Sequence, residues 1–135
     1  MDAKVKADWV EALRSGVYEQ GRDLLHSEDA HGDHRYCCLG VLCELARKEI
    51  MVHVQMERDS EGITAYSYDG RDSMLPESVL LWAGLDRDEP SPYVRSDYKP
   101  EFVDTDSGTV RLEYLNDGGK SFDEIAALIE ADINL

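Results

Sequence analysis

Between Leu39 and Tyr68 the spacing of apolar side chains changes from helical to alternating, and that change confines the chain to a mixed architecture. Leu39, Leu42, Cys43, Leu45 and Ala46 form a wide apolar helical face, leaving Glu44, Arg47 and Lys48 to reach water. Val52, Val54 and Met56 then alternate with His53, Gln55 and Glu57. The β-prone run Ile63 to Tyr68 follows after a polar turn at Asp59–Gly62. A period of two on both sides of a turn signals an antiparallel hairpin. Helices and a sheet must therefore share one core.

Elsewhere the helical period dominates. Val5, Trp9, Ala12 and Leu13 predict a first helix that Gly16 ends as a left-handed cap. Val17 to Leu25 is read as a turn and a short helical piece, and the polar, Gly-containing stretch His26–Arg35 as a loop. Gly40 costs the second helix about 1 kcal/mol against Ala and so points to close packing. Leu75-Pro76 opens a third helix, with Pro76 at its first position, which carries Val79, Leu80 and Trp82 and stops at Gly84. The Pro- and Asp-rich stretch Asp86–Pro100 reads as a long loop. A second hairpin is expected from Glu101–Thr105 and Thr109–Glu113, turning at Asp106-Ser107-Gly108. Asn116 to Gly119 forms a turn before Ser121-Phe122-Asp123-Glu124, a capping box, after which Phe122, Ile125, Ala126 and Ile129 share one helical face. The expected fold is α+β, with four to five helices packed on a small antiparallel sheet made of two β-hairpins. A single compact domain spanning residues 1–135 suits the length and the 42% hydrophobic content.

Charge narrows the partners. Fourteen basic residues against 29 acidic ones leave a formal net charge of −15. Direct binding to nucleic acid or anionic membrane needs neutralising Lys and Arg, so both are disfavoured. A basic protein partner, mimicry of nucleic acid, or plain solubility all fit. The longest apolar run, Val79 to Ala83, is too short to span a bilayer, and no charged-then-apolar leader is seen. A soluble cytoplasmic protein is expected.

Several groupings invite a chemical reading. His26, His31, His34, Cys37, Cys38 and Cys43 offer ligands of the type zinc prefers, but their spacing matches no paired-knuckle pattern. Cys37 or Cys38, near a helix start and with His34 or His53 as base, would make a thiol nucleophile. The plain alternative is that these cysteines are small reduced hydrophobes in the core. Asp104 and Asp106 lack the further oxygen ligands that calcium requires. Gly118-Gly119-Lys120-Ser121 lacks the upstream glycine of a phosphate loop. No metal, cofactor or catalytic residue is assigned. One quieter set remains: Arg14, Tyr18, Gln20, Arg22, Tyr36, Trp82, Asn116 and Asp117 all fall at element ends, where small pockets form. Such residues can pair with phosphate, stack on a base and hydrogen-bond to its edge. The alternative is that they are core, caps and surface.

The segments Trp9, Ala12-Leu13-Arg14-Ser15-Gly16, Tyr18, Gln20-Gly21 and Tyr36-Cys37-Cys38-Leu39-Gly40-Val41-Leu42-Cys43 carry a resemblance. With Trp82-Ala83-Gly84-Leu85, Leu115-Asn116-Asp117 and Ser121-Phe122, they are similar to a family of small uncharacterised bacteriophage and prophage proteins. The resemblance implies a non-enzymatic accessory protein acting on host defence or host machinery by binding. On that reading Arg14 pairs with the phosphate of a small nucleotide-type host signal, Tyr18 or Trp82 stacks, and Asn116 reads an edge, so that the signal is sequestered. The alternative partner is a basic host protein occupied by the acidic surface; a cysteine-dependent enzyme ranks last. Exposed β-edges also leave room for a homo-oligomer.

Overall fold

The computed structural model describes residues 1–95 and 108–135. Helix α1, Ala3–Arg14, starts where the Asp2 carboxylate accepts the Val5 N–H at 2.9 Å, satisfying one of the donors a helix N-terminus leaves free. It buries Val5, Trp9, Val10 and Leu13 and ends before Gly16, whose φ of +76° is the left-handed value of a terminating glycine. Helix α2, Cys38–Ala46, is held to α1 by the Trp9 indole N–H, which donates to the Cys38 carbonyl at 2.9 Å. A Cβ on Gly40 would lie 1.7 Å from the Leu25 carbonyl oxygen, so glycine here is a packing requirement. Helix α3, Glu77–Ala83, follows Pro76, which occupies the N-cap, one position earlier than expected.

Four antiparallel strands form the main sheet: β1 His26–Glu28, β2 His34–Tyr36, β3 Val54–Arg58 and β4 Thr64–Tyr68, in the order β2-β1-β4-β3. The first expected hairpin is β3–β4. The stretch His26–Arg35, expected as a loop, is instead a hairpin, because pairing of His26–Glu28 with β4 supplies the order its polar residues do not encode. The expected helical piece between Val17 and Leu25 does not form. Its backbone pairs with the outer side of β2: Tyr36 N–H donates to Glu19 at 2.8 Å and Gly21 N–H to Tyr36 at 2.7 Å.

A smaller sheet joins β5, Tyr93–Arg95, to β6, Thr109–Arg111, in the register Val94↔Val110. The Asp86–Pro100 stretch thus contains a strand. Glu101–Thr105, the other half of the second expected hairpin, lies outside the described residues. Leu112 and Glu113 begin helix α4, Leu112–Asp117, rather than ending a strand. Leu112, Leu115 and Asn116 recur at helical spacing and are buried together, so Asn116 and Asp117 close a helix and are not a free turn. Helix α5, Phe122–Ala131, has its capping box complete, both bonds at 3.2 Å.

Among the described residues the fold is α+β, with five helices, a four-stranded sheet and a two-stranded sheet. Helix α2 is central and meets α1, α3, α4 and β2. The core there holds Trp9, Leu39, Leu42, Leu112, Leu115, Ile125 and Ile129, with all three cysteines buried among them. No described helix is long and apolar enough to cross a membrane.

Candidate functional site

Three of the residues singled out at element ends, Gln20, Asn116 and Asp117, meet one another. Gln20 Nε2 donates to Asn116 Oδ1 at 3.0 Å and to the Lys120 carbonyl at 2.7 Å, while Gln20 Oε1 accepts the Phe122 N–H at 3.0 Å. Asn116 Oδ1 also accepts the Cys38 N–H at 3.1 Å, and Asn116 Nδ2 donates to the Gly21 carbonyl at 2.8 Å and to Asp117 at 3.2 Å. Asp117 in turn accepts the Asp23 N–H at 3.0 Å. A primary amide has two donor hydrogens and one carbonyl oxygen, and both amides are fully engaged. The node stitches the strand-capping segment, the start of α2 and the α4–α5 turn together. Asn116 therefore has no edge left over to read a ligand.

Of the other members of that set, Tyr18 and Tyr36 pair with each other, and Arg14, Arg22 and Trp82 are dispersed. Arg14 makes a two-pronged pair with Glu130 on α5 at 3.0 and 3.3 Å. Arg22 is exposed. Trp82 is half-buried, and its indole N–H donates to Glu49 at 2.8 Å. Tyr18 meets Tyr36 edge to face, with centroids 5.1 Å apart. Arg14 does line a hollow of about 620 Å³ between α1 and α5, with Lys6, Val10, Glu11 and Glu130.

Tyr36 leads to a cluster the sequence did not suggest. Across the sheet, Met56, Tyr66, His26 and Tyr36 occupy one register row. His26 lies between the two tyrosine rings, 3.9 Å from Tyr66 at 9° and 4.2 Å from Tyr36 at 21°. Its edges are fixed as well. The Tyr68 hydroxyl donates to Glu44 at 2.7 Å; a carboxylate only accepts, so the Tyr68 oxygen is left to accept from His26 Nδ1–H at 3.0 Å. His26 Nε2 then accepts from His34 Nδ1–H at 2.7 Å. His34 Nε2 faces Glu28 at 3.9 Å, and Glu28 accepts the Tyr66 hydroxyl at 2.9 Å. Every donor in the chain from His34 inward points toward the Glu44 carboxylate.

Burial dominates the electrostatics of this array. It lowers the His26 pKa to about 4, with His34 and Arg47 acting the same way and Glu44 and Glu28 opposing. Burial pushes the Tyr36 hydroxyl up to about 12, and burial with the Glu44 bond raises Tyr68. A neutral His26 inside a stack of neutral phenols is the resting state. Alternation of Tyr66 and Tyr68 was the available signal, but nothing in the sequence placed His26 opposite them.

The remaining candidates resolve into structure. Burial pushes the Cys37 thiol up to about 12 and the Cys38 and Cys43 thiols well above the usual range, the reverse of what activates a nucleophile. His31 is exposed and His53 lies at the sheet margin, its N–H on Asp69. Among the described residues, no three His, Cys, Asp or Glu side chains gather as a metal site. Lys120 pairs with Glu124 at 3.4 Å and Ser121 caps α5, so the Gly118–Ser121 segment serves as a helix start. Asp104 and Asp106 lie outside the described residues.

A family model described as a domain of unknown function (DUF8296) matches residues 1–133. The chain belongs to this family. The match spans the amide node, the ring array and the α1–α5 hollow alike. No curated protein and no solved structure matches the chain.

Proposed function

We propose that this is a non-enzymatic binding protein whose acidic surface engages a basic protein partner, as a nucleic-acid mimic or inhibitor does. The observation that carries the reading is the fate of the cations. Lys4, Arg14, Arg35, Arg47, Arg87, Arg111 and Lys120 each sit beside a carboxylate of the protein itself. With 29 acids against 14 bases, the excess negative charge is left to face solvent, where it steers a basic partner. Buried, unactivated thiols weigh against the cysteine-dependent enzyme. In the phage setting that the motif resemblance implies, the partner is a host protein in the host cytoplasm and the role is counter-defence. Capture of partners on the immobilised protein, eluted with rising salt and identified by mass spectrometry, tests this. A basic nucleic-acid-binding protein released by salt is expected; if only salt-insensitive partners are retained, the reading is wrong.

Sequestration of a small nucleotide-type ligand is the second reading, favoured by the α1–α5 hollow. Its volume of about 620 Å³ falls within the range of small-molecule sites, and Lys6 and Arg14 border it. A thermal-shift series with cyclic and linear nucleotides separates the two. Stabilisation by one nucleotide class that is lost in Arg14→Ala would put sequestration first.

A further inference from the structure

The main sheet has two margins, and they are treated differently. The outer side of β2 is occupied, because Glu19 and Gly21 hydrogen-bond to both backbone groups of Tyr36. The outer side of β3 has no strand against it among the described residues. An open edge presents a row of backbone donors and acceptors ready to pair with another extended chain. Four of the five β3 residues are exposed, Met56 at 67%, and Met51 just upstream is 95% exposed.

The two faces beside this edge differ in chemistry. On one face Gln55 and Glu57 stand opposite Ser67 and Ala65. These small β4 side chains floor a hollow of about 390 Å³ that Glu57 and Asp72 border. A long Lys or Arg stem fits over such a floor with its charged head beside the carboxylates. Asp59 and Glu61, both exposed in the β3–β4 turn, outnumber the exposed Arg58 of β3 and leave that end net negative. On the other face Met56 lies next to Tyr66 in the same row, which suits an apolar side chain. Strand geometry sends successive side chains to opposite faces.

We propose that the β3 edge is the docking site for an extended segment of a basic partner protein in which Lys or Arg alternates with apolar residues. The segment adds as a fifth strand beside β3, its basic residues next to Gln55 and Glu57 with their stems reaching toward Ala65 and Ser67, and its apolar residues next to Met56. The inference rests on the acidic-surface reading and gives it a place and a mode. A second copy of this chain is the poorer occupant, since each carries a net charge of −15.

The probe is a terminally capped ten-residue Lys-Val repeat peptide, compared with the same peptide N-methylated at alternate residues. N-methylation removes strand donors and keeps the charge. The capped peptide should slow amide exchange across Val54–Arg58 and bind at least ~10-fold more tightly than its N-methylated form. Glu57→Lys, an exposed change whose intact fold is to be checked by circular dichroism, should weaken it by a similar factor, because the charge facing the basic side chain is reversed. Equal binding of the two peptides overturns the edge proposal and leaves the acidic-surface reading standing. Failure of both peptides to bind also overturns it, and the salt-elution capture then decides the broader reading alone.

Discussion

The amide node around Gln20 and Asn116 and the ring array around His26 perform the same mechanical task with different chemistry. Each ties an irregular or short segment to the helical body, and each has a buried residue at its centre, Asn116 in one and His26 in the other. The two amides at the centre of the node do not titrate, and a carboxylate enters only at its rim, where Asp117 accepts from Asn116 and Asp23. The array is built on an imidazole, whose unperturbed pKa lies within the physiological range. The centre of one attachment is indifferent to pH, and the centre of the other is not. The difference follows from their partners. Asn116 satisfies backbone groups of Gly21 and Cys38, for which a neutral donor and acceptor suffice, whereas His26 lies flat between Tyr36 and Tyr66, which needs an aromatic ring with polar edges.

The harshest way to break the comparison is Asn116→Ala. It strands the buried Cys38 N–H and the part-buried Gly21 carbonyl and Gln20 donor, at about 1–3 kcal/mol for each unsatisfied group, the lower end applying to the part-buried ones. A loss of about 4 kcal/mol by urea denaturation is expected, unchanged between pH 5 and 8. A loss that varied with pH would show that the node is coupled to the array.

Acid should break the array and spare the node. His26 has a folded pKa of about 4 against an ordinary 6.5, so between those values the unfolded chain binds more protons. Stability is therefore full above about pH 6.5 and falls as pH drops toward 4, by about 3 kcal/mol for a shift of this size. The carboxylates Asp29 and Glu124 also have lowered values, so the readout is a difference. His26→Phe keeps an aromatic ring and removes the titrating group. Urea midpoints at several pH values should fall less steeply for His26→Phe than for the wild type, and equal slopes would remove His26 as the cause.

A finer cut is Tyr68→Phe. It removes the hydroxyl between His26 Nδ1 and Glu44 and leaves the ring in the core. One hydrogen-bonded link with a charged end is lost, which is expected to cost about 1–3 kcal/mol. With no oxygen to receive it, the His26 Nδ1–H loses its fixed direction, so the histidine proton resonances in NMR spectra should broaden or shift. Unchanged imidazole signals would mean that the directional chain is not formed.

How much of this was legible beforehand depends on where each interaction lies in the sequence. Helices α1, α2, α3 and α5 and the β3–β4 hairpin were readable because their signals are local, as with the Ser121–Glu124 box. The β1–β2 hairpin was not, since three-residue strands of sequence His-Ser-Glu and His-Arg-Tyr owe their conformation to β4. Helix α4 was hidden because its six residues run into turn-forming Asn116 to Gly119. Gln20 and Asn116 were picked out as polar residues at element ends, but composition could not say that they would satisfy each other across 96 positions. The array was missed for the same reason: His26 meets Tyr68 across 42 positions, and stacking leaves no periodicity in the chain.

The mildest perturbation bears most directly on function. Arg14 and Glu130 are both exposed, with side chains 41% and 62% accessible, and surface pairs of this kind contribute roughly 0–1 kcal/mol. Arg14→Ala should therefore shift the urea midpoint very little, unlike any change in the node or the array. That separation makes it a clean probe of the α1–α5 hollow, because any ligand effect it abolishes cannot be charged to lost stability. If the acidic surface is the working feature, removing Arg14 makes the protein one unit more negative, and capture of a basic partner should be retained or slightly strengthened at low salt. If the hollow takes an anionic ligand, the same change should remove that ligand's stabilisation. The sign of the Arg14→Ala effect on binding thus distinguishes the two readings while the fold stays constant.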